Sequence, residues 1–203
     1  MDEKSKLKEE IALELAKIGA LKFGEFTFKS GIVSPMYLDL RLFVSYPKLL
    51  RKVTKAYVDM IKDLEYDRSI GVAYGALPIA GALSLELERP WCFVRKEALA
   101  KAYGLEKSIE GEYEKGDRAL VVEDLVTKGT SIMEVIPVLK RHGFKVSDAV
   151  FLIDYGKGGP EKLIESGVTA HAFMTMSEVV DIMLKNKVID EKMYKKAKEF
   201  LSV

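Results

Sequence analysis

Ala119-Leu120-Val121-Val122-Glu123-Asp124-Leu125-Val126-Thr127-Lys128-Gly129-Thr130-Ser131 carries an apolar run into two acids and then into a turn of small and hydroxylated residues. The run from Ala119 to Val122 predicts a buried strand. From Thr130 to Arg141 apolar residues return at helical spacing, so the turn delivers the chain straight from strand to helix. A strand that passes through a short turn into a helix is the repeating unit of an α/β fold.

The same order recurs outward from this segment. Upstream, Pro47 opens a predicted helix through Leu64, Ser69 to Ala73 is a short strand, Pro78 to Glu88 a helix, and Trp91 to Val94 another strand. Downstream, strands are predicted at Val146 to Ile153 and Thr169 to Phe173, with helices at Pro160 to Glu165 and Ser177 to Lys185. This alternation implies a mostly parallel sheet covered on both faces, and such sheets bind ligands at the carboxyl ends of their strands. At the N-terminus, Leu7, Ile11, Leu15 and Ile18 mark an amphipathic helix that stops near Gly19. Leu21 to Leu40 then reads as two strands around the turn-like Lys29-Ser30-Gly31. Asp190 caps a terminal amphipathic helix to Leu201, whose apolar side holds Met193, Ala197 and Phe200.

Composition narrows the partner. With 203 residues, 48% of them apolar, the chain can bury one substantial core, and a single domain over 1–203 is the expectation. Lysine plus arginine (32) balance aspartate plus glutamate (31), which leaves no basic field for a nucleic acid or an anionic membrane and favours a small molecule. No run approaches the roughly 18 apolar residues of a membrane span. Met1 to Glu10 is charged where a signal peptide is apolar, so a cytoplasmic protein is expected. Cys92, between Trp91 and Phe93, reads as a small buried hydrophobe rather than a nucleophile. His142 precedes a glycine and suits a helix C-cap, while His171 falls in a predicted strand; neither has companions at the spacing of a zinc site or a serine triad.

The central segment has a use for each of its parts. Backbone N–H groups at a helix N-terminus, with the hydroxyls of Thr127, Thr130 and Ser131 beside them and Gly129 permitting close approach, form a cradle for a phosphate. The carboxylates of Glu123 and Asp124 can accept hydrogen bonds from sugar hydroxyls and hold Mg²⁺ directly or through water. Taken singly, the two acids read as a solvated pair and Thr130 as an ordinary cap; their succession fits a phosphorylated ribose. A Walker loop is excluded, because Lys128 precedes its glycine.

This segment resembles the signature with which type I phosphoribosyltransferases bind the ribose-phosphate donor PRPP. The resemblance extends from about Ile18 to Leu184. Phe26-Thr27-Phe28-Lys29-Ser30-Gly31 with Ser34-Pro35-Met36-Tyr37-Leu38-Asp39-Leu40-Arg41, the stretch Gly71 to Ala80, and Arg95-Lys96-Glu97 look like orotate phosphoribosyltransferases. The match is particularly to the form found as the first half of bifunctional uridine monophosphate synthases, so the decarboxylase that follows is expected on a separate protein. The resemblance implies an α/β phosphoribosyltransferase fold, with a mostly parallel central sheet flanked by helices. A small helix–hairpin hood is expected in 1–45 and the core with its C-terminal helix in 46–203. It further implies a Mg²⁺-dependent reaction of orotate with PRPP, and a homodimer that shares its active sites.

By the same resemblance, Glu123, Asp124, Leu125, Val126, Thr127, Lys128, Gly129, Thr130 and Ser131 bind PRPP together with Tyr74, Arg95, Lys96, Lys101 and Tyr103. Lys101, Glu123 and Asp124 carry catalysis, and Mg²⁺ sits near the two acids, held mainly by PRPP and water. Lys29, Met36, Tyr37, Thr127 and Tyr155 meet orotate. Two departures stand out. Ala98, Leu99 and Ala100 intervene where relatives have one residue before the loop lysine, and Leu152-Ile153-Asp154-Tyr155 lacks the usual arginine, with Lys157 two residues on. A tyrosine cannot replace a bidentate guanidinium. Two alternatives therefore stay open: a phosphoribosyltransferase for uracil or a purine, and a non-catalytic sensor of PRPP or a nucleotide.

Overall fold

The computed structural model describes residues 2–27, 31–96 and 108–202. Six strands form the main sheet: β3 (Arg68–Gly71), β4 (Trp91–Val94), β5 (Ile109–Glu110), β6 (Arg118–Val126), β7 (Lys145–Asp154) and β8 (Thr169–Thr175). Their order is β5-β4-β3-β6-β7-β8, parallel throughout except for β5 against β4. Along β6, Leu120 and Val122 enter one apolar cluster while Ala119 and Val121 enter the other. Successive strand residues point to opposite faces, so an unbroken apolar run is what a sheet covered on both sides requires.

Helices α1 (Glu3–Lys17), α2 (Pro47–Ile61), α3 (Leu77–Leu87), α6 (Met176–Lys185) and α7 (Glu191–Ser202) contribute to one cluster. Helices α4 (Thr130–Arg141) and α5 (Gly159–Glu165) contribute to the other. Helix α2 begins at Pro47, where a missing N–H is harmless, and buries Leu49, Val53, Ala56, Tyr57 and Ile61 along one stripe. Helix α6 starts on a reciprocal cap, in which Thr175 accepts from the Glu178 N–H and Glu178 accepts from the Thr175 N–H.

The predicted hairpin is present as β1 (Leu21–Thr27) antiparallel to β2 (Val33–Leu38), with a bulge between Phe23 and Phe26. Lysines and acids tie α1 to the helices behind it: Lys8 to Glu178 at 2.6 Å, Lys52 to Glu10 at 3.0 Å and Glu14 at 2.6 Å, and Lys185 to Glu9 at 3.0 Å. The elements differ from the sequence reading in several places. Helix α1 begins at Glu3, capped by Asp2, because the cap outweighs the polar character of the first turn. A 3-10 turn at Leu40–Ser45 and the two-residue strand β5 are too short to leave a periodic signal. Strand β6 continues past Val122 to Val126, so both acids lie within it rather than after it.

Candidate active site

Strand β3 stops pairing at Gly71 opposite Val122, whereas β6 stays paired with β7 as far as Val126 opposite Asp154. Glu123 to Val126 therefore border the space beyond the carboxyl end of β3. Helix α3, after β3, packs in one apolar cluster, and α4, after β6, packs in the other. Two neighbouring strands whose helices leave toward opposite faces open a crevice at their carboxyl ends.

Glu123 and Asp124 form one wall of this crevice. The Asp124 N–H donates to Glu123 Oε1 at 3.1 Å, and the Leu125 N–H donates to Asp124 Oδ1 at 2.8 Å. Burial, and then the charge of Asp124, pushes the Glu123 carboxyl well above its usual range. Burial also raises Asp124, against the hydrogen bonds it accepts and the field of Arg41. Arg41 is held by Asp39 through Nε at 2.7 Å and a terminal nitrogen at 2.8 Å. Asp124 presses on the turn before α3: a β-carbon at Gly75 would lie 2.0 Å from Asp124 Oδ2. Only glycine permits that approach.

Beyond Val126, residues Thr127 to Gly129 turn into α4. Gly129 caps the helix with φ 72°, in the left-handed region that favours glycine, and as the cap residue it supplies no side-chain bond to the first-turn N–H groups. Thr127, Lys128, Thr130 and Ser131 are exposed. A hollow of about 50 Å³ is lined by Glu123, Leu125, Val126, Thr127, Gly129, Thr130, Ser131 and Ile132. Free N–H groups and hydroxyls around such a hollow suit a phosphate. The loop rests on the start of α5, where a β-carbon at Gly159 would lie 2.3 Å from Val126 Cγ1 and 2.6 Å from the Thr127 carbonyl oxygen.

Across the crevice, Tyr74, Arg95 and Lys96 line a cavity of about 380 Å³ with Ala73, Leu77 and Glu110. Lys96 Nζ stands 4.6 Å from the centre of the Tyr74 ring, and Arg95 Nε pairs with Glu110 Oε1 at 3.2 Å. The acids, the phosphate-type loop and these cations thus surround the ends of β3 and β6.

The residues expected to meet the base are placed less uniformly. Tyr37 is half-buried in β2, its ring 5.7 Å from that of Phe26. Met36 is fully buried in the apolar core. Tyr155 is 7% exposed, and its hydroxyl is enclosed without a hydrogen-bond partner among the described residues, while neighbouring Ser34 donates to the Met36 carbonyl at 2.6 Å. Lys157, the cation nearest in sequence to Tyr155, instead donates to the Phe200 carbonyl at 2.6 Å and lies over its ring. Lys29, Lys101 and Tyr103 lie outside the described residues. Arg41, Gly75 and Gly159 were not singled out as site residues; the Asp39-Leu40-Arg41 spacing and the glycine beside Tyr74 were the available signals.

Such a fold and site define an enzyme class that handles a phosphorylated sugar, and a family model described as phosphoribosyl transferase domain matches residues 44–170. An orotate phosphoribosyltransferase of Pyrobaculum aerophilum is 37% identical over 189 residues, covering 93% of this chain and 96% of that protein. The chain belongs to the orotate phosphoribosyltransferase family. The uridine 5′-monophosphate synthase of Bos taurus is 38% identical over 92% of this chain, which spans 39% of that protein's length. The structure of a Leishmania donovani UMP synthase superposes with a TM-score of 0.87 at 33% identity, covering 96% of this chain and 42% of that one.

Proposed function

We propose that this chain transfers the phosphoribosyl group of PRPP to orotate, giving orotidine 5′-monophosphate and pyrophosphate. The observation that carries this reading is the continuity of the buried Glu123 and half-buried Asp124 with the open first turn of α4, which lets one segment hold a ribose and its 5′-phosphate. A bond forms between a ring nitrogen of orotate and C1 of the ribose as the bond from C1 to the pyrophosphate oxygen breaks. Positive charge develops on the sugar and negative charge on the leaving group, so positioning and electrostatics supply the catalysis.

In this reading the 5′-phosphate is held by the loop of Thr127, Lys128, Gly129, Thr130 and Ser131, while Glu123 and Asp124 take the ribose hydroxyls. Tyr74, Arg95 and Lys96 receive the pyrophosphate, joined by Lys101 and Tyr103. Lys29, Tyr37 and Thr127 face the base, with Met36 and Tyr155 packed behind them. Mg²⁺ fits this donor set, because Glu123 and Asp124 are adjacent carboxylates and hard oxygen donors suit that ion. It would therefore be held near Glu123 and Asp124, mainly by phosphate oxygens and water. When bound, it neutralises charge on the leaving pyrophosphate. We further propose a cytoplasmic homodimer; the exposed apolar side chains of Leu42, Val44 and Leu85 offer surface for a second copy.

The test is orotate consumption, followed by ultraviolet absorbance, with PRPP and Mg²⁺ and with uracil and hypoxanthine as competing acceptors. Loss of orotate with release of pyrophosphate is expected. Tyr155 in the place of an arginine motivates the competitors: reaction of another base with orotate left intact would move the assignment to that base. PRPP binding with no turnover of any base would make the chain a sensor.

A further inference from the structure

The peptide unit that joins Glu123 to Asp124 is clamped at both ends. Its N–H, on Asp124, donates to Glu123 Oε1 at 3.1 Å. Its carbonyl, on Glu123, accepts from the hydroxyl of Tyr57 at 2.5 Å. Tyr57 comes from α2, far away in sequence, and is fully buried. The contact falls where pairing between β6 and β7 passes from Glu123–Phe151 to Leu125–Ile153, beside the acid pair. One residue earlier, the chain segment after β3 satisfies the backbone: the Val72 N–H donates to the Val122 carbonyl at 2.9 Å. At Glu123, which stays in register with Phe151, a side chain adds a hydrogen bond to the carbonyl.

We infer that Tyr57 is a positioning residue for PRPP: by holding the Glu123 carbonyl, its hydroxyl fixes the peptide plane from which the two carboxylates project. This rests on the reading that Glu123 and Asp124 hold the ribose. Without the hydroxyl, a buried carbonyl loses a donor from outside the sheet, and losing a buried hydrogen bond is unfavourable. The plane is then held less tightly and can turn. Because carbonyl and N–H share one rigid plane, the turn also carries the Asp124 N–H away from Glu123 Oε1. Both carboxylates change direction, although neither has been altered.

Tyr57→Phe removes one oxygen and keeps the ring that packs in the core. Its control is Val53→Ala, one turn earlier on the same buried stripe, which weakens the packing and leaves the peptide clamp in place. PRPP affinity by titration calorimetry, KM for both substrates, kcat and melting temperature would be measured for each. For Tyr57→Phe the Kd and KM for PRPP should rise roughly tenfold, the loss of one buried hydrogen bond, while KM for orotate at saturating PRPP changes less than about twofold. Val53→Ala should melt at a lower temperature and bind PRPP as the wild type does. Wild-type affinity in Tyr57→Phe would overturn the assignment, as would an equal loss of PRPP affinity in Val53→Ala. A wild-type protein that binds PRPP but ignores orotate leaves this comparison intact and removes only the acceptor base; one that binds no PRPP removes both readings.

Discussion

Gly75 offers the sharpest test of how the crevice is built, because its replacement by alanine adds one methyl group against a carboxylate. The methyl would sit 2.0 Å from Asp124 Oδ2, 2.5 Å from its Cγ and 3.0 Å from Oδ1. Carbon–oxygen contacts below 3.0 Å are essentially never found, so the carboxylate must retreat by about 1 Å or more. Gly75 does not have a positive φ, and alanine can adopt its backbone; the collision is the whole effect. A displacement of about 1 Å in a positioned group can cost on the order of 10²-fold, and hydrogen bonds to a charged group contribute about 1.5–3 kcal/mol, which is a similar factor. Gly75→Ala is therefore expected to lower kcat/KM for PRPP by on the order of 10²-fold. Overpacking should reduce stability by about 1–3 kcal/mol. Initial rates at varied PRPP and fixed saturating orotate, together with a thermal melt, measure both. A folded Gly75→Ala protein whose kcat/KM for PRPP stays within about threefold of wild type would refute the proposed contact of Asp124 with the ribose.

Three further outcomes are expected. Glu123 has a raised pKa in the folded chain and holds its proton longer there than when unfolded, so its contribution is greatest below the ordinary value of 4.5 and declines as pH rises through the raised value. Glu123→Gln, which does not titrate, should then melt above the wild type at about pH 8, with the gap closing toward about pH 4, even as PRPP turnover falls; a gap of the same size at both pH values in thermal scans would contradict this. Gly159→Ala forces a methyl onto Val126 and the Thr127 carbonyl, so inhibition by ribose 5-phosphate should weaken roughly tenfold or more as the phosphate loop shifts. Lys101→Ala should lower kcat at saturating PRPP by on the order of 10²-fold if that side chain reaches the leaving group, and unchanged turnover would remove Lys101 from the reaction.

The order of strands and helices was legible because each long element repeats its apolar residues at its own period, as Leu49, Val53, Ala56, Tyr57 and Ile61 do in α2. The acid pair and the loop after it were legible for another reason: strand, acids, turn and helix are consecutive in the chain. What escaped depends on residues distant in sequence. Nothing around Gly75 announces that Asp124 will press against it, and nothing in α2 distinguishes Tyr57 from an ordinary core aromatic. The side expected to face the base was the least legible. Lys157 lies close to Tyr155 in the chain, yet its ammonium is drawn to the Phe200 carbonyl at the end of α7, a partner visible only once the terminal helix has docked.

Two adjacent acids, one buried and one half-buried, also decide which form of the molecule lasts longer. Glu123 and Asp124 lie close together and accept bonds from the Asp124 and Leu125 N–H groups, and a bound sugar would supply further hydroxyl donors to both. A ligand that binds only the folded state stabilises it by about 2.7 kcal/mol at a hundred times its Kd. Occupied copies are therefore expected to open less often and to survive proteolysis longer than vacant ones. The amount of enzyme in a cell would then follow the supply of its donor, with scarcity shortening the protein's lifetime before any regulator acts on its synthesis.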